Sequence, residues 1–144
     1  MTDHSPILAP IVALVAWSLV MWLWMYATRL PAMSAAKIDT KNLVGGSGAD
    51  LKKVIPPKSQ WPADNYNHLM EQPTLFYAIA LVLAMLGAGG GVNLMIAWAY
   101  VVLRIVHSIV QATFNRVIIR FAIFSLSTLC LMALTLHAAM HFLR

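Results

Sequence analysis

Two clusters of polar side chains stand out in a chain that is otherwise apolar. In "NYNHLMEQP", Glu71 follows His68 by three residues and Asn67 by four, so the three share one side of a helix. His68 titrates near pH 6.5 when unperturbed, and its expected role is hydrogen-bonding partner to Glu71. In "WAYVVLRIVHSIVQATFNR", Tyr100, Arg104, His107, Gln111 and Asn115 recur at spacings of four, three, four and four, which is one helical face. Arg116 and Arg120 follow directly. A guanidinium binds carboxylates through charge-assisted hydrogen bonds, and here cations outnumber the nearby acid. The chemistry on offer is retention of an anionic or zwitterionic ligand. The plainer use of the same stripe is to fasten helices together through hydrogen bonds and one ion pair.

Other chemistry is poorly supported. His137 and His141 are four apart, with His4 expected on the same side. Two such imidazoles can share a metal, but no acid or Cys stands near them, and the expectation is no metal. "GGSG" lacks the Gly-Lys-Ser/Thr ending and preceding strand of a phosphate loop. The single Cys130 excludes an intrachain disulfide. No Ser-His-Asp or Cys-His spacing is present, and no nucleic-acid-reading motif accompanies the scattered lysines.

The elements that position these groups follow from composition. Of the 144 residues, 60% are hydrophobic and 10% charged, too little polar surface for a soluble domain of this size. A helix needs about 20 mostly apolar residues to cross the hydrocarbon core, and residues 7–28, 67–87, 92–113 and 117–142 approach or meet that length. None alternates as barrel strands do, so the chain reads as all-α: a polytopic membrane protein with four transmembrane helices in a single membrane domain over residues 1–144. The first segment lacks a basic flank and a clean small-residue cleavage site, and is expected to be retained. Trp17, Trp22 and Trp24 read as lipid-facing and interfacial anchors.

Residues 29–66 form the one long loop, with turn signals in "LVGGSGADLKK" and "VIPPKSQWP"; a lid and a flexible linker both fit it. It carries Arg29, Lys37, Lys41, Lys52, Lys53 and Lys58, whereas "GAGGGVN" carries no charge. The positive-inside rule makes the loop cytoplasmic and puts both termini outside. A bacterial inner membrane is the expected location. The excess of cations also favours anionic lipid headgroups.

Arg104 lies ~18 Å along the helix from Arg116 and therefore deep in the bilayer. Such an arginine is costly unless it faces protein, ~2.5–3.5 kcal/mol on the mildest scale. Glu71 is the one acid in any span, so the two are expected to meet where spans two and three pack.

These residues carry a resemblance. Four spans, a long inner loop, the acid and proline of "E-x-P-x-x-F" (Glu71, Pro73, Phe76), and "RIVHSIVQATFNR" with its R-x-x-H-[ST]-I core resemble the MAPEG family. These are the membrane-associated proteins in eicosanoid and glutathione metabolism, and the likeness is to microsomal glutathione transferases. The resemblance implies a homotrimer with sites between subunits, glutathione as co-substrate and a lipophilic electrophile as second substrate. By position it gives Arg116 the thiolate, and gives Glu71 and Arg29 the tripeptide; Arg104 is expected to help place the tripeptide, with His68, His107 and Gln111 as further binding residues. The sequence departs from the family in three places. Asp64 and Ala63 occupy the positions of an arginine, His68 that of an asparagine, and Gln111 that of a tyrosine. The function implied is a membrane glutathione transferase or peroxidase. The alternative is a non-catalytic member of the fold that binds a lipid headgroup or serves as an accessory subunit.

Overall fold

The computed structural model describes residues 4–143. Among them there are five helices and no strand. They are α1 (Leu8–Ala35), α2 (Pro57–Leu69), α3 (Pro73–Met85), α4 (Gly91–Ala112) and α5 (Val117–Phe142), with a single 3₁₀ segment, Gly48–Lys53, between α1 and α2. Four stretches are long and apolar enough to cross a membrane: Leu8–Ala35, Pro57–Met85, Gly91–Ala112 and Val117–Phe142. The chain is an integral membrane protein.

The last two spans fall where the apolar pattern predicts, and the first two differ from expectation. α1 continues past Thr28 to Ala35 and carries Arg29 within it. The second span begins at Pro57, not at residue 67, so the predicted loop over residues 29–66 contracts to residues 36–56. α2 is polar overall and shows no apolar stripe. Pro57 starts it, because the first helical turn has no intrahelical use for the N–H that proline lacks. Burial of Gln60, Ala63, Asn65 and Leu69 holds it, chiefly against α1.

Between α2 and α3 the helix breaks at Met70–Gln72. Pro73 cannot donate to the preceding turn. The backbone instead closes short turns, Glu71 N–H to His68 O at 3.2 Å and Thr74 N–H to Glu71 O at 3.2 Å. The break places Glu71 on a corner rather than on a helix face.

α3 ends in a Schellman motif. Gly87 takes φ +69°, Ala88 N–H reaches Leu83 O at 2.9 Å, and Gly87 N–H reaches Ala84 O at 3.2 Å. Gly89 then lies under the start of α1, where a Cβ would run into Ser5 and Ile7.

α4 is the central helix: it packs on α5 most extensively and also on α1 and α2. Its buried face includes Ala97, Tyr100, Val101 and Arg104. Opposite it stand Leu14 and Met21 of α1, Phe76 and Ala80 of α3, and Leu134 of α5, all fully buried. The Phe76 and Tyr100 rings stack with centroids 4.5 Å apart. α1 and α5 turn most of their apolar side chains outward, Leu19, Leu23, Leu129 and Leu136 among them; in an integral membrane protein such faces meet lipid or another chain.

The loop has local order. Asn42 Nδ2 donates to Asp39 Oδ2 at 2.6 Å, and this bond does most to hold the Asp39 carboxyl below its usual pKa, with the Asn42 and Lys41 backbone N–H groups adding to it.

Candidate functional site

A cavity of about 570 Å³ opens at the basic end of the bundle, where α2, α4, α5 and the 3₁₀ segment meet. Ligand pockets commonly fall in this size range. Each wall contributes chemistry. α2 and the corner after it supply Asp64, Asn67, His68 and Glu71. α4 supplies His107 and Gln111, on the face that spacing predicts. α5 supplies Arg120, Phe121 and Phe124, and Lys52 closes the rim from the loop.

Glu71 does not pair with Arg104, contrary to expectation. The helix break swings the carboxylate outward, leaving it largely exposed, and its partner is His68, with Nδ1 3.2 Å from Oε2. His68, still on α2, points toward α4 and stands between the two charges. Its ring is 4.9 Å from that of His107 and 5.4 Å from that of Phe124, centroid to centroid.

Arg104 lies behind this wall, fully buried. Its Nη2 donates to the His68 carbonyl at 3.5 Å and its guanidinium lies 5.6 Å from the Phe124 ring centroid. Nε and Nη1 have no hydrogen-bond partner among the described residues, and neither do His107 Nδ1 and Gln111 Oε1. Buried polar atoms are nearly always bonded. A cluster of orphans beside a cavity is where a ligand or water would bond.

Arg120 holds its position through Asn115. That residue follows α4 at φ +51°, a left-handed conformation asparagine tolerates, and its Oδ1 accepts from Arg120 Nη1 at 2.6 Å. Arg116 caps the start of α5, exposed and outside the residues that line the cavity.

Arg29 is placed elsewhere. It belongs to a second, mostly apolar cavity of about 570 Å³ between the end of α1 and the loop. A polar relay connects the two cavities: Arg29 Nη2 donates to Gln60 Oε1 at 3.2 Å, Gln60 Nε2 to Asp64 Oδ1 at 3.4 Å, and Lys52 Nζ pairs with Asp64 Oδ1 at 3.1 Å.

The structure thus brings Glu71, His68, His107 and Gln111 to one cavity, sets Arg104 behind it, and leaves Arg116 and Arg29 outside its lining. Sequence reasoning missed Lys52 and Phe124 as wall residues and took Asp64 only as a departure from pattern. Reading residues 57–69 as helix would have exposed Asp64, because it then lies one turn before His68 on the same face.

Beside the corner runs an apolar groove of about 790 Å³ between α3 and α5, lined by Leu75, Ala78, Val82, Met132 and Leu136 among others. Gln72 and Thr128 stand in its wall and are tied together, Gln72 Nε2 donating to Thr128 Oγ1 at 2.9 Å. Tyr100 Oη donates to Gln72 Oε1 at 3.2 Å. Adjacent residues at the break therefore serve different compartments: Glu71 the polar cavity, Gln72 the apolar groove.

No curated protein and no solved structure matches the chain. The MAPEG family model matches residues 7–140, nearly its whole length. With four membrane-spanning stretches and an all-helical fold, the chain belongs to the MAPEG family, the membrane proteins of the glutathione and eicosanoid metabolism group.

Proposed function

We propose that the basic cavity binds glutathione and presents its thiolate to a lipophilic electrophile or peroxide held in the neighbouring groove. The observation that carries this reading is the charge pattern of the cavity. Lys52, paired with Asp64, lines it together with Arg120 and Glu71, and the buried guanidinium of Arg104 lies behind. The described wall is balanced, so Arg104 supplies the excess cation. Glutathione has two carboxylates and one ammonium; it needs acceptors as well as donors, and a net positive surround once its thiol ionises.

A thiol with a pKa near ~8.5 is mostly protonated at neutral pH, and an adjacent cation lowers that value and exposes the nucleophile. Family resemblance gives this task to Arg116. Arg120 lies on the same helix, one turn further on and inside the cavity wall. In this reading Glu71 takes the ligand's ammonium, Lys52 and Arg120 its carboxylates, and the unpartnered atoms of His107 and Gln111 its peptide groups. The family's arginine is absent at position 64, but Asp64 draws Lys52 into the same quarter and restores a cation there. No metal is invoked. A homotrimer, with Arg29 of each chain contributing near a neighbour's cavity, belongs to the same proposal.

The test is equilibrium binding of glutathione to the detergent-solubilised protein, with thiolate absorbance followed on mixing. Binding with thiolate formation is expected, weakened by Glu71→Gln and Arg120→Gln, with thiolate formation lost in whichever of Arg116→Ala and Arg120→Gln removes the stabilising cation. Absence of thiolate, with binding indifferent to all three changes, would instead favour a non-catalytic protein that holds a lipid headgroup.

A further inference from the structure

The other end of the bundle, ~27 Å along α4 from Gln111, carries a small cavity of about 220 Å³ lined by Asn93, His137, Met140 and His141. We propose that this is a copper(I) site, with His137, Met140 and His141 as its ligands and Asn93 as the group that orients the first of them.

The hydrogen bonds fix the histidine's tautomer. Asn93 Nδ2 donates to Ala88 O at 2.9 Å, so the amide is anchored with its oxygen on the other side. That oxygen lies 2.6 Å from His137 Nδ1. An amide oxygen only accepts, so Nδ1 carries the proton and Nε2 keeps its lone pair. A ring nitrogen held by an oxygen acceptor while the other stays free is how proteins prepare a metal-binding imidazole.

The donor set then selects the ion. His137 and His141 are one turn apart on α5, a spacing at which two imidazoles reach one metal. Met140 adds a thioether to the same cavity. Among the described residues no carboxylate or thiolate lines it, and no cluster of three His, Cys, Asp or Glu exists. That composition suits hard, oxygen-preferring ions poorly, and the thioether sets copper(I) apart from zinc(II). Neutral imidazole and thioether suit a soft monovalent cation. The site also sits in the last turn of α5, with His141, where the helix dipole favours positive charge.

Copper(I) titration of the whole detergent-solubilised protein under reductant, in competition with a chromophoric copper(I) chelator, tests this. Uptake of about one ion per chain is expected. His137→Ala and His141→Ala should each weaken it about tenfold or more, and Asn93→Leu by about tenfold through the lost orientation. Met140→Leu should weaken copper(I) but not zinc(II), and His4→Ala should leave copper(I) uptake intact. His141 and Met140 are exposed, so these variants will fold even if Asn93→Leu does not. Equal uptake by the wild type and the His137→Ala/His141→Ala double variant would overturn the proposal, as would loss of uptake in His4→Ala alone.

Discussion

Arg104 concentrates the question of whether the polar seam is structural or functional. A buried guanidinium kept only for stability should bond through all its nitrogens, because an unpaired buried donor costs about 1–3 kcal/mol. Among the described residues Arg104 makes one long bond, to a carbonyl, and leaves Nε and Nη1 without partners. An apolar residue of similar length should therefore serve the fold as well or better, as buried charges often can be replaced without loss. Arg104→Met is expected to unfold at the same or a higher temperature in detergent while binding glutathione at least tenfold more weakly, by thermal melts and calorimetry on one preparation. A variant that loses stability and binding together would mark the arginine as a fastener. Asp64 offers the reciprocal experiment. Asp64→Arg supplies on the helix the cation that Lys52 now brings from the loop, and should bind glutathione about as tightly or several-fold more tightly, while Lys52→Ala in the native background weakens it. At this scale the sequence was informative where a single helix carries the pattern: the Tyr100–Gln111 face is buried as its spacing requires. It was uninformative about the Glu71–Arg104 pair, because a contact between helices depends on the path of the backbone at Met70–Gln72, which side-chain spacing does not encode.

The elements explain why that path matters. Pro73 divides one membrane-spanning stretch into α2 and α3, and the corner sends Glu71 and Gln72 to opposite compartments. Gln72 is the latch of the corner, joined to α4 through Tyr100 and to α5 through Thr128. Hydrogen bonds between membrane helices average about 0.6 kcal/mol, so Gln72→Leu should destabilise the protein by about 1 kcal/mol. After Thr128→Val has removed one of the two bonds, the same change should cost less, a non-additivity that denaturant titration of the four proteins would measure. The groove beside the latch makes a separate prediction. Ala78 lines it, and Ala78→Trp should fill it, raising KM for a lipophilic electrophile several-fold while glutathione binding stays unchanged. An equal effect on both ligands would mean that groove and cavity are not distinct subsites. The third and fourth spans were legible because apolar length alone defines a membrane helix. α2 was not, since a polar helix that begins at a proline and rests on α1 shows neither of the signals, apolar run or periodic stripe, by which a helix is recognised from sequence.

At the scale of the whole molecule, every described lysine and arginine except Arg104 lies at one end of the bundle, on the end of α1, the loop, the start of α2 and the start of α5. The opposite end carries Gly87–Gly91 and the proposed copper ligands. Lys and Arg are retained on the cytoplasmic side, which predicts the orientation of the cavity, and that orientation bears directly on its chemistry. Glutathione keeps thiols reduced in the cytosol; a cavity that opened to the other side would lack its proposed substrate. A labelling experiment decides the matter. Cys130, partly buried in α5, is the only native cysteine, so a Cys130→Ala background is free of thiols. In it, Lys41→Cys should react with a membrane-impermeant maleimide only in inverted vesicles, and Gly90→Cys only in intact cells with the outer barrier opened. Both positions are exposed, which makes silence on one side a matter of topology and not of burial. The reverse pattern would leave the fold and the family untouched, yet it would remove the glutathione reading, because the charges that recommend the cavity would then face a compartment without the reduced thiol they are arranged to ionise.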